Sequence, residues 1–206
     1  MNKLMMLVIV LASSSNVLAD VVSQEHRRGD SIAAGETRFR EISTFEPAPY
    51  VATSPIAISF APKLEAPDES WDVILLRLNI FVGSHRAVYA IDVGTLANVV
   101  DYNMDGIGVA GLFNAVGYSD GAIHVAGIFN HSAYDFSGCQ ISGFLSLTEG
   151  IHRGLQIGLG NYAGKIVGAQ IGVLNYAERL EGAQLGLLNI HSGPGILFFP
   201  VVNFAF

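Results

Sequence analysis

The segment Asp101-Tyr102-Asn103-Met104-Asp105-Gly106 has the residue types of the first half of a calcium-binding loop. In such loops, oxygen ligands at alternating positions precede a glycine, and a bidentate glutamate stands at the twelfth position. Here the twelfth position is Leu112, and Ser119-Asp120-Gly121 occupies the equivalent place one repeat later. We therefore interpret the segment as a turn. The candidate metal ligands of the alternative interpretation are Asp101, Asn103 and Asp105.

The other chemically capable side chains do not form a recognisable motif. The histidines lack the i, i+4 spacing of metal ligands on one element, and the sequence contains no Gly-x-Ser-x-Gly nucleophile motif. Arg28-Gly29-Asp30 is a tripeptide that adhesion receptors bind, but three common residues also coincide by chance. Cys139 takes a repeat position that otherwise holds alanine or leucine, which indicates a small buried filler. The sequence therefore predicts no catalytic site and no cofactor, and we expect a protein that is not an enzyme.

The first nineteen residues have the pattern of a secretory signal peptide. Lys3 supplies a positive charge, Leu4 to Ala12 form an apolar run, and Val17-Leu18-Ala19 gives small residues before a cleavage point. The apolar run is shorter than the roughly 20 residues that span a bilayer. We expect export to the cell surface, the outer membrane or the periplasm.

Composition restricts the partners. The net charge is −7, which argues against nucleic acid and anionic lipid headgroups. Only one cysteine is present, so no intrachain disulfide forms. Packing and backbone pairing must therefore hold the fold together, and the expected partner is an unidentified protein or envelope component, with association with the outer membrane as a further expectation.

An asparagine recurs every fourteen to sixteen residues over the second half of the chain. Ser146 takes its place once in eight units. The other members of the series are Asn98, Asn114, Asn130, Asn161, Asn175, Asn189 and Asn203. An apolar residue stands two positions before each member, and a glycine stands three positions before most of them. Regular units of this length predict stacked coils.

A unit of fourteen residues accommodates two strands of about five residues and two short corners. We therefore predict an all-β fold, a parallel β-solenoid of flattened coils. Because Ile171 and Val173 alternate with Gly172, we expect the apolar face to turn inward and the asparagines to occupy corners, where stacked amides pair. The outer polar face would then offer Gln156, Gln170 and Gln184 as candidate binding residues. The drift of the period predicts bulged or wider coils up to about residue 150 and narrower ones afterwards.

Four segments follow from this pattern. Residues 1–19 are the signal peptide, residues 20–49 a flexible polar leader, residues 50–90 two capping strands, and residues 91–206 the solenoid.

The recurring Gly-x-Gln-x-Gly-x-x-Asn core behind a signal peptide resembles a family of bacterial exported surface-repeat proteins. The resemblance covers roughly residues 50–206, whereas Ser146 and His124 depart from the pattern. It implies a location in the cell envelope, with no known catalytic activity and no active-site residues. The expected function is a non-enzymatic structural or interaction surface.

A small outer-membrane β-barrel is the alternative, because the chain ends in an alternating apolar segment with a terminal phenylalanine, Phe206. Eight units of one strand each would suffice for such a barrel. Its strands need 9–11 residues of alternation, and the alternation here breaks before each asparagine.

Overall fold

The computed structural model of the chain describes residues 52–61, 63–192 and 198–205. The predicted signal peptide and polar leader, including Arg28-Gly29-Asp30, lie outside these residues. The described chain is all-β and contains no helix. The strands are β1 (Thr53–Ala61), β2 (Leu64–Ala66), β3 (Asp72–Asn79), β4 (Val82–His85), β5 (Ala87–Val88), β6 (Ile91–Gly94), β7 (Ala97–Asn103), β8 (Gly106–Ala110), β9 (Phe113–Ala126), β10 (Phe129–Ser132), β11 (Phe136–Ser142), β12 (Leu145–Ile157), β13 (Gly160–Ile171), β14 (Leu174–His191) and β15 (Phe198–Ala205).

The chain winds into a flattened coil with two sides. Side one stacks β3, β6, β8, the end of β9, β11 and the later parts of β12, β13 and β14. Side two stacks β4, β7, the start of β9, β10 and the earlier parts of β12, β13 and β14. Every one of these neighbours pairs in parallel, which confirms the predicted parallel β-solenoid, of about 8 turns. The alternative arrangement, one antiparallel strand per unit, is not the one formed by the described residues.

The change of period occurs at two defined places. Between Thr148 and Ile151 the register shifts, so that two residues of β12 lie opposite the single Gly164 of β13. The second place is the corner between side one and side two, where a glycine and an apolar residue precede the asparagine; we call it the Gly-x corner. Four residues separate Val109 from Asn114 at this corner in an early coil, whereas three separate Ile157 from Asn161 in a later one. The later pairing of β13 with β14 contains no register shift. The prediction of wider early coils and narrower late coils is therefore confirmed, and each corner loses one residue.

Two columns of glycines permit the coils to stack. In one column, a Cβ on Gly172 would lie 2.2 Å from the carbonyl oxygen of Gly158 on the preceding coil. In the other column, Gly168 has φ +140°, a backbone conformation that glycine adopts at low cost. The second column marks the turn that leads into side one. Its members are Gly106, Gly138, Gly154, Gly168 and Gly182, with Ala122 in the one remaining place, directly after Gly121.

The ends of the stack differ from the middle. The predicted strands around the proline-bearing loop correspond to β1 and β3, but β3 and β4 already form a coil, which pairs in register with β5, β6 and β7 of the next one. At the other end β15 turns back and pairs antiparallel with β14. Asn203 consequently lies opposite Gln184 and does not extend the asparagine column, so its interpretation as an eighth repeat corner is wrong.

The apolar core is small and lies beside the turns. One cluster includes Val100, Met104, Val116 and Phe136, and a second includes Ile166 and Leu180. By contrast, Ile171 and Val173 are exposed, at 39% and 44%. The expectation that these residues fill the inside of the coil is wrong, because on side one the interior is occupied by polar side chains.

The Gly172→Ala variant tests the close approach of the coils. The new methyl group would meet a backbone oxygen that cannot move without displacing a coil, so we expect the free energy of unfolding to fall by about 2–4 kcal/mol. Urea denaturation of the full chain measures this change. Gly160→Ala is the matched control, because its Cβ would meet the flexible Cδ1 of Leu145 at 3.2 Å and the backbone oxygen of Phe144 only at an ordinary contact distance of 3.8 Å. Equal stability of the two variants would contradict the proposed role of Gly172.

Candidate interaction surface

A column of glutamine amides runs through the interior of side one. Gln156 Nε2 donates to Gln140 Oε1 at 3.1 Å, Gln170 Nε2 donates to Gln156 Oε1 at 2.8 Å, and Gln184 Nε2 donates to Gln170 Oε1 at 2.8 Å. Asn203 ends the column by donating to Gln184 Oε1 at 2.8 Å. Gln156, Gln170 and Gln184 therefore each accept a hydrogen bond from the strand that follows in the stack and donate one to the coil before, whereas Gln140 Nε2, at the start of the column, has no partner.

A column of asparagine amides runs beside it with the opposite polarity. Asn98 Nδ2 donates to Asn114 Oδ1 at 2.9 Å, and Asn114 Nδ2 donates to Asn130 Oδ1 at 2.9 Å. Beyond the interruption at Ser146, the column resumes from Asn161 to Asn175 and on to Asn189, with distances of 2.8 and 2.7 Å. The same amides also donate across the corner to backbone oxygens of side one, so they tie the two sides together.

The asparagine column begins at a buried ion pair near the N-terminal end of the stack. Arg77 Nε donates to Asp92 Oδ1 at 2.8 Å, and Arg77 Nη1 donates to the backbone oxygen of Val99 at 3.0 Å. Asn79 Nδ2 donates both to Asp92 Oδ1 and to Asn98 Oδ1, at 2.8 and 2.7 Å. The pair is completely buried, and both carboxylate oxygens of Asp92 accept hydrogen bonds.

These positions correct two sequence-based expectations. Gln156, Gln170 and Gln184 have no exposed surface, so they cannot bind a partner at the outer face. The asparagines Asn98, Asn114, Asn130, Asn161, Asn175 and Asn189 are buried within strands, directly after the Gly-x corners, and none has a left-handed backbone. The amide pairing predicted for the asparagines is present, whereas the corners themselves are formed by the glycine and the apolar residue that follows it.

Side one presents an uninterrupted apolar outer surface, because residues that flank the buried amides point outward. The surface consists of two columns that cross ten strands, from β1 to β15. The first column contains Ile56, Leu76, Ile91, Ile107, Ile123, Cys139, Leu155, Ala169, Ala183 and Phe204. The second contains Ile58, Leu78, Val93, Val109, Val125, Ile141, Ile157, Ile171, Leu185 and Val202. We call these two columns the apolar face.

None of these side chains is buried, and none carries a charge. At the adjoining corner a third apolar row continues the surface, with Leu112, Ile128, Phe144, Leu159 and Leu187 all exposed. Nine steps of about 4.8 Å between ten strands give the apolar face a length of about 43 Å. A monomeric protein rarely exposes a contiguous apolar patch larger than about 300–600 Å², so a surface of this extent indicates a site of interaction.

The calcium-like segment does not come together as a metal site. Asn103 Nδ2 donates to Asp105 Oδ2 at 2.8 Å, and Asp105 Oδ1 accepts from the backbone N–H of Asp120 at 2.8 Å. Burial, with a smaller contribution from the repulsion of Glu69, raises the pKa of Asp101 to about 6. Within residues 52–61, 63–192 and 198–205, no three His, Cys, Asp or Glu side chains are grouped as metal ligands. The bonds of Asp105 fit the interpretation of this segment as a turn.

The sequence analysis did not identify a buried polar cluster around the carboxylate of Glu65 at the N-terminal end of the stack. Glu65 Oε2 accepts from Ser59 Oγ at 2.9 Å and lies 2.8 Å from His85 Nδ1, while Oε1 accepts from the backbone N–H of Ser84. The serine donates to the glutamate and not to the histidine, which differs from the order of contacts in a nucleophile–histidine–acid triad. Ser59 and His85 are fully buried, so the cluster fastens β1 and β2 onto the first coil.

Two histidines are buried beside Phe136. The rings of His124 and His152 lie 5.0 and 5.2 Å from the ring of Phe136. Burial lowers the pKa of His124 to about 3 and that of His152 to about 4, so both are neutral at pH 7.

No protein-family model, curated protein or solved structure matches the chain. Among the described residues, the chain forms no helix with the length and apolarity needed to cross a membrane.

Substitution of Gln170 tests whether the buried amides stabilise the fold. Gln170→Met keeps the volume but leaves Gln184 Nε2, Gln156 Oε1 and the backbone oxygen of Tyr176 each short of a partner. At about 1–3 kcal/mol for each unsatisfied buried group, we expect the free energy of unfolding to fall by about 3 kcal/mol or more. Leu174→Thr is the control, because Leu174 is 42% exposed on side two and its replacement changes stability by about 0.5 kcal/mol. A larger loss in the control than in Gln170→Met, measured by urea denaturation, would contradict the importance of the amide column.

The buried histidines predict acid sensitivity. Their pKa values are lowered in the folded state, so the unfolded chain binds more protons below its ordinary histidine pKa of about 6.5, and stability is lost as the pH falls below that value. At pH 5 the loss is about 2 kcal/mol for each histidine relative to pH 7.5. We expect the double variant His124→Gln, His152→Leu to lose less stability between pH 7.5 and pH 5 in urea denaturation. An unchanged pH dependence in the variant would show that other groups cause the acid sensitivity.

Proposed function

We propose that this chain is a non-enzymatic interaction protein of the bacterial cell envelope, which contacts its partner through the apolar face of side one. The observation that carries this proposal is the continuity of the two outer columns, in which no polar or charged side chain interrupts ten successive strands. A surface of this kind is unfavourable in water, and its burial against an apolar partner stabilises the complex.

The interior supports the proposal because it makes the apolar face rigid. Each coil is fixed to its neighbours by backbone pairing and by the two amide columns, so the outward side chains keep a constant spacing from coil to coil. A preorganised surface loses little conformational entropy when it binds. Solenoid proteins commonly use extended surfaces of this type.

Export to the envelope is supported by the sequence of the first nineteen residues and by the resemblance to surface-repeat proteins. The partner chemistry is that of an apolar surface, since the acidic chain is a poor match for nucleic acid.

Fractionation of bacteria that express the full chain tests this proposal. We expect the wild-type chain in the envelope fraction and accessible to external protease. A variant of the apolar face, Ile107→Lys with Ile123→Glu, should fold but lose its retention in the envelope. The two new side chains lie opposite each other on neighbouring strands, so they add no net charge and no like-charge repulsion.

The matched control carries the same exchange on side two, Leu174→Lys with Leu188→Glu, at positions that are each 42% exposed. The control should be retained like the wild-type chain. Retention of the face variant at the wild-type level, or recovery of the wild-type chain in the cytoplasm, would contradict the proposal.

A further inference from the structure

We propose that the apolar face is the interface of a symmetric dimer, in which the face of a second copy of the chain packs against it. This inference rests on the proposed function, because it names the partner of the same surface. Three properties of the surface support a second copy: its chemistry, its size and its regularity.

The chemistry of the apolar face requires a partner without unpaired polar groups. The outer columns offer no hydrogen-bond donor or acceptor stronger than the thiol of Cys139, so a polar partner would leave its own groups unsatisfied. The exposed charges Asp120, Arg153 and Glu181 each stand one residue before a glycine of positive φ, outside the two outer columns. A second copy supplies an equally apolar surface, and it keeps these charges at the rim, as in stable protein interfaces. Anionic lipid fits less well, because the chain carries a net charge of −7.

The size of the surface suits a stable dimer. With a length of about 43 Å and two columns of side chains that each occupy about 7 Å of width, the apolar face covers about 600 Å² on each copy. Two copies would therefore bury at least about 1,200 Å², which reaches the range of about 1,200–2,000 Å² that specific interfaces bury.

The regularity of the surface makes it complementary to itself. Rows of Ile, Val and Leu on two sheets interdigitate when the sheets pack about 10 Å apart with nearly aligned strands. A two-fold axis in the interface plane brings each row of one copy opposite a row of the other, whether the solenoid axes run parallel or antiparallel. In both arrangements the middle strands of the two copies face each other.

Cys139 reports on this geometry because it lies near the middle of the apolar face. It belongs to β11, the sixth of the ten strands, in the first outer column, and its side chain is partly exposed. With sheets about 10 Å apart and an offset of one strand or one column, the two Cys139 Cα atoms are about 12 Å apart in either two-fold arrangement. This separation exceeds the reach of a disulfide but fits a short bis-maleimide.

Sedimentation velocity and light scattering of the chain without its predicted signal peptide, residues 1–19, test the proposal directly. We expect a dimer at micromolar concentration, and its stability should persist in high salt because the interface is apolar. The face variant Ile107→Lys with Ile123→Glu should be monomeric with an unchanged β-sheet circular dichroism spectrum. The side-two variant Leu174→Lys with Leu188→Glu should remain dimeric. Dimerisation that is lost only in the side-two variant would overturn the proposal.

Cross-linking of the unmutated face gives a second test that does not depend on the folding of a variant. A short bis-maleimide should convert the wild-type chain to a covalent dimer through Cys139, the only cysteine. The control Cys139→Ser with Glu149→Cys places the thiol at an exposed position outside the apolar face, and it should not cross-link. A wild-type chain that sediments as a monomer and does not cross-link would overturn the dimer.

The two proposals fail in distinguishable ways. A monomeric wild-type chain whose retention in the envelope is still lost in the face variant would overturn the dimer and leave the proposed function intact. Binding of the monomer to neutral phosphatidylcholine vesicles, lost in the face variant, would identify lipid as the occupant and overturn the dimer in the same way. A dimer with envelope retention unaffected by the face variant would overturn the proposed function alone.

Discussion

Pairing between buried side-chain amides is the constraint on which this solenoid depends. A carboxamide without a partner inside a protein costs about 1–3 kcal/mol for each unsatisfied group, so a polar interior is stable only if every amide finds its neighbour. Parallel coils bring identical positions into register, and the glutamines at 156, 170 and 184 meet this requirement along the stack. The glycine columns allow that spacing, because a methyl group at Gly172 would collide with the preceding coil.

Filling the interior of side one with amides places its apolar residues outside. In a strand, successive side chains point to opposite faces, so the burial of Gln170 forces Ile171 and its equivalents into solvent. The chain compensates with two small apolar clusters at the turns, and with polar contacts at the ends, where Glu65 fastens the first strands and Asn203 satisfies the last glutamine. The stability of the fold and the presence of its interaction surface thus have the same physical cause.

The sequence was sufficient to predict the solenoid, because the fourteen- to sixteen-residue period is a property of the backbone path. It also predicted the amide pairing of the asparagines and the change from wide to narrow coils. It was insufficient to assign inside and outside, since strict alternation in a strand is compatible with either face buried. One signal was available: the inner column repeats the same residue, glutamine, four times, whereas the outer column varies among Cys139, Leu155, Ala169 and Ala183. A ladder requires identity between neighbours, and an apolar surface does not.

The position of Asn203 could not be predicted from the sequence either, because a fourteen-residue step describes spacing along the chain and not the direction of the last strand. By itself, the sequence determined the period, the strand content, the glycine columns and the absence of a recognised catalytic motif. Only the tertiary structure decided that the amides are inside, that ten strands share one apolar face, and that Cys139 lies near its middle. The physical reason is that the pairing of coils and its register determine which side of each strand is buried. Those contacts join residues that are far apart in the sequence, so the alternation within a single strand does not predict them.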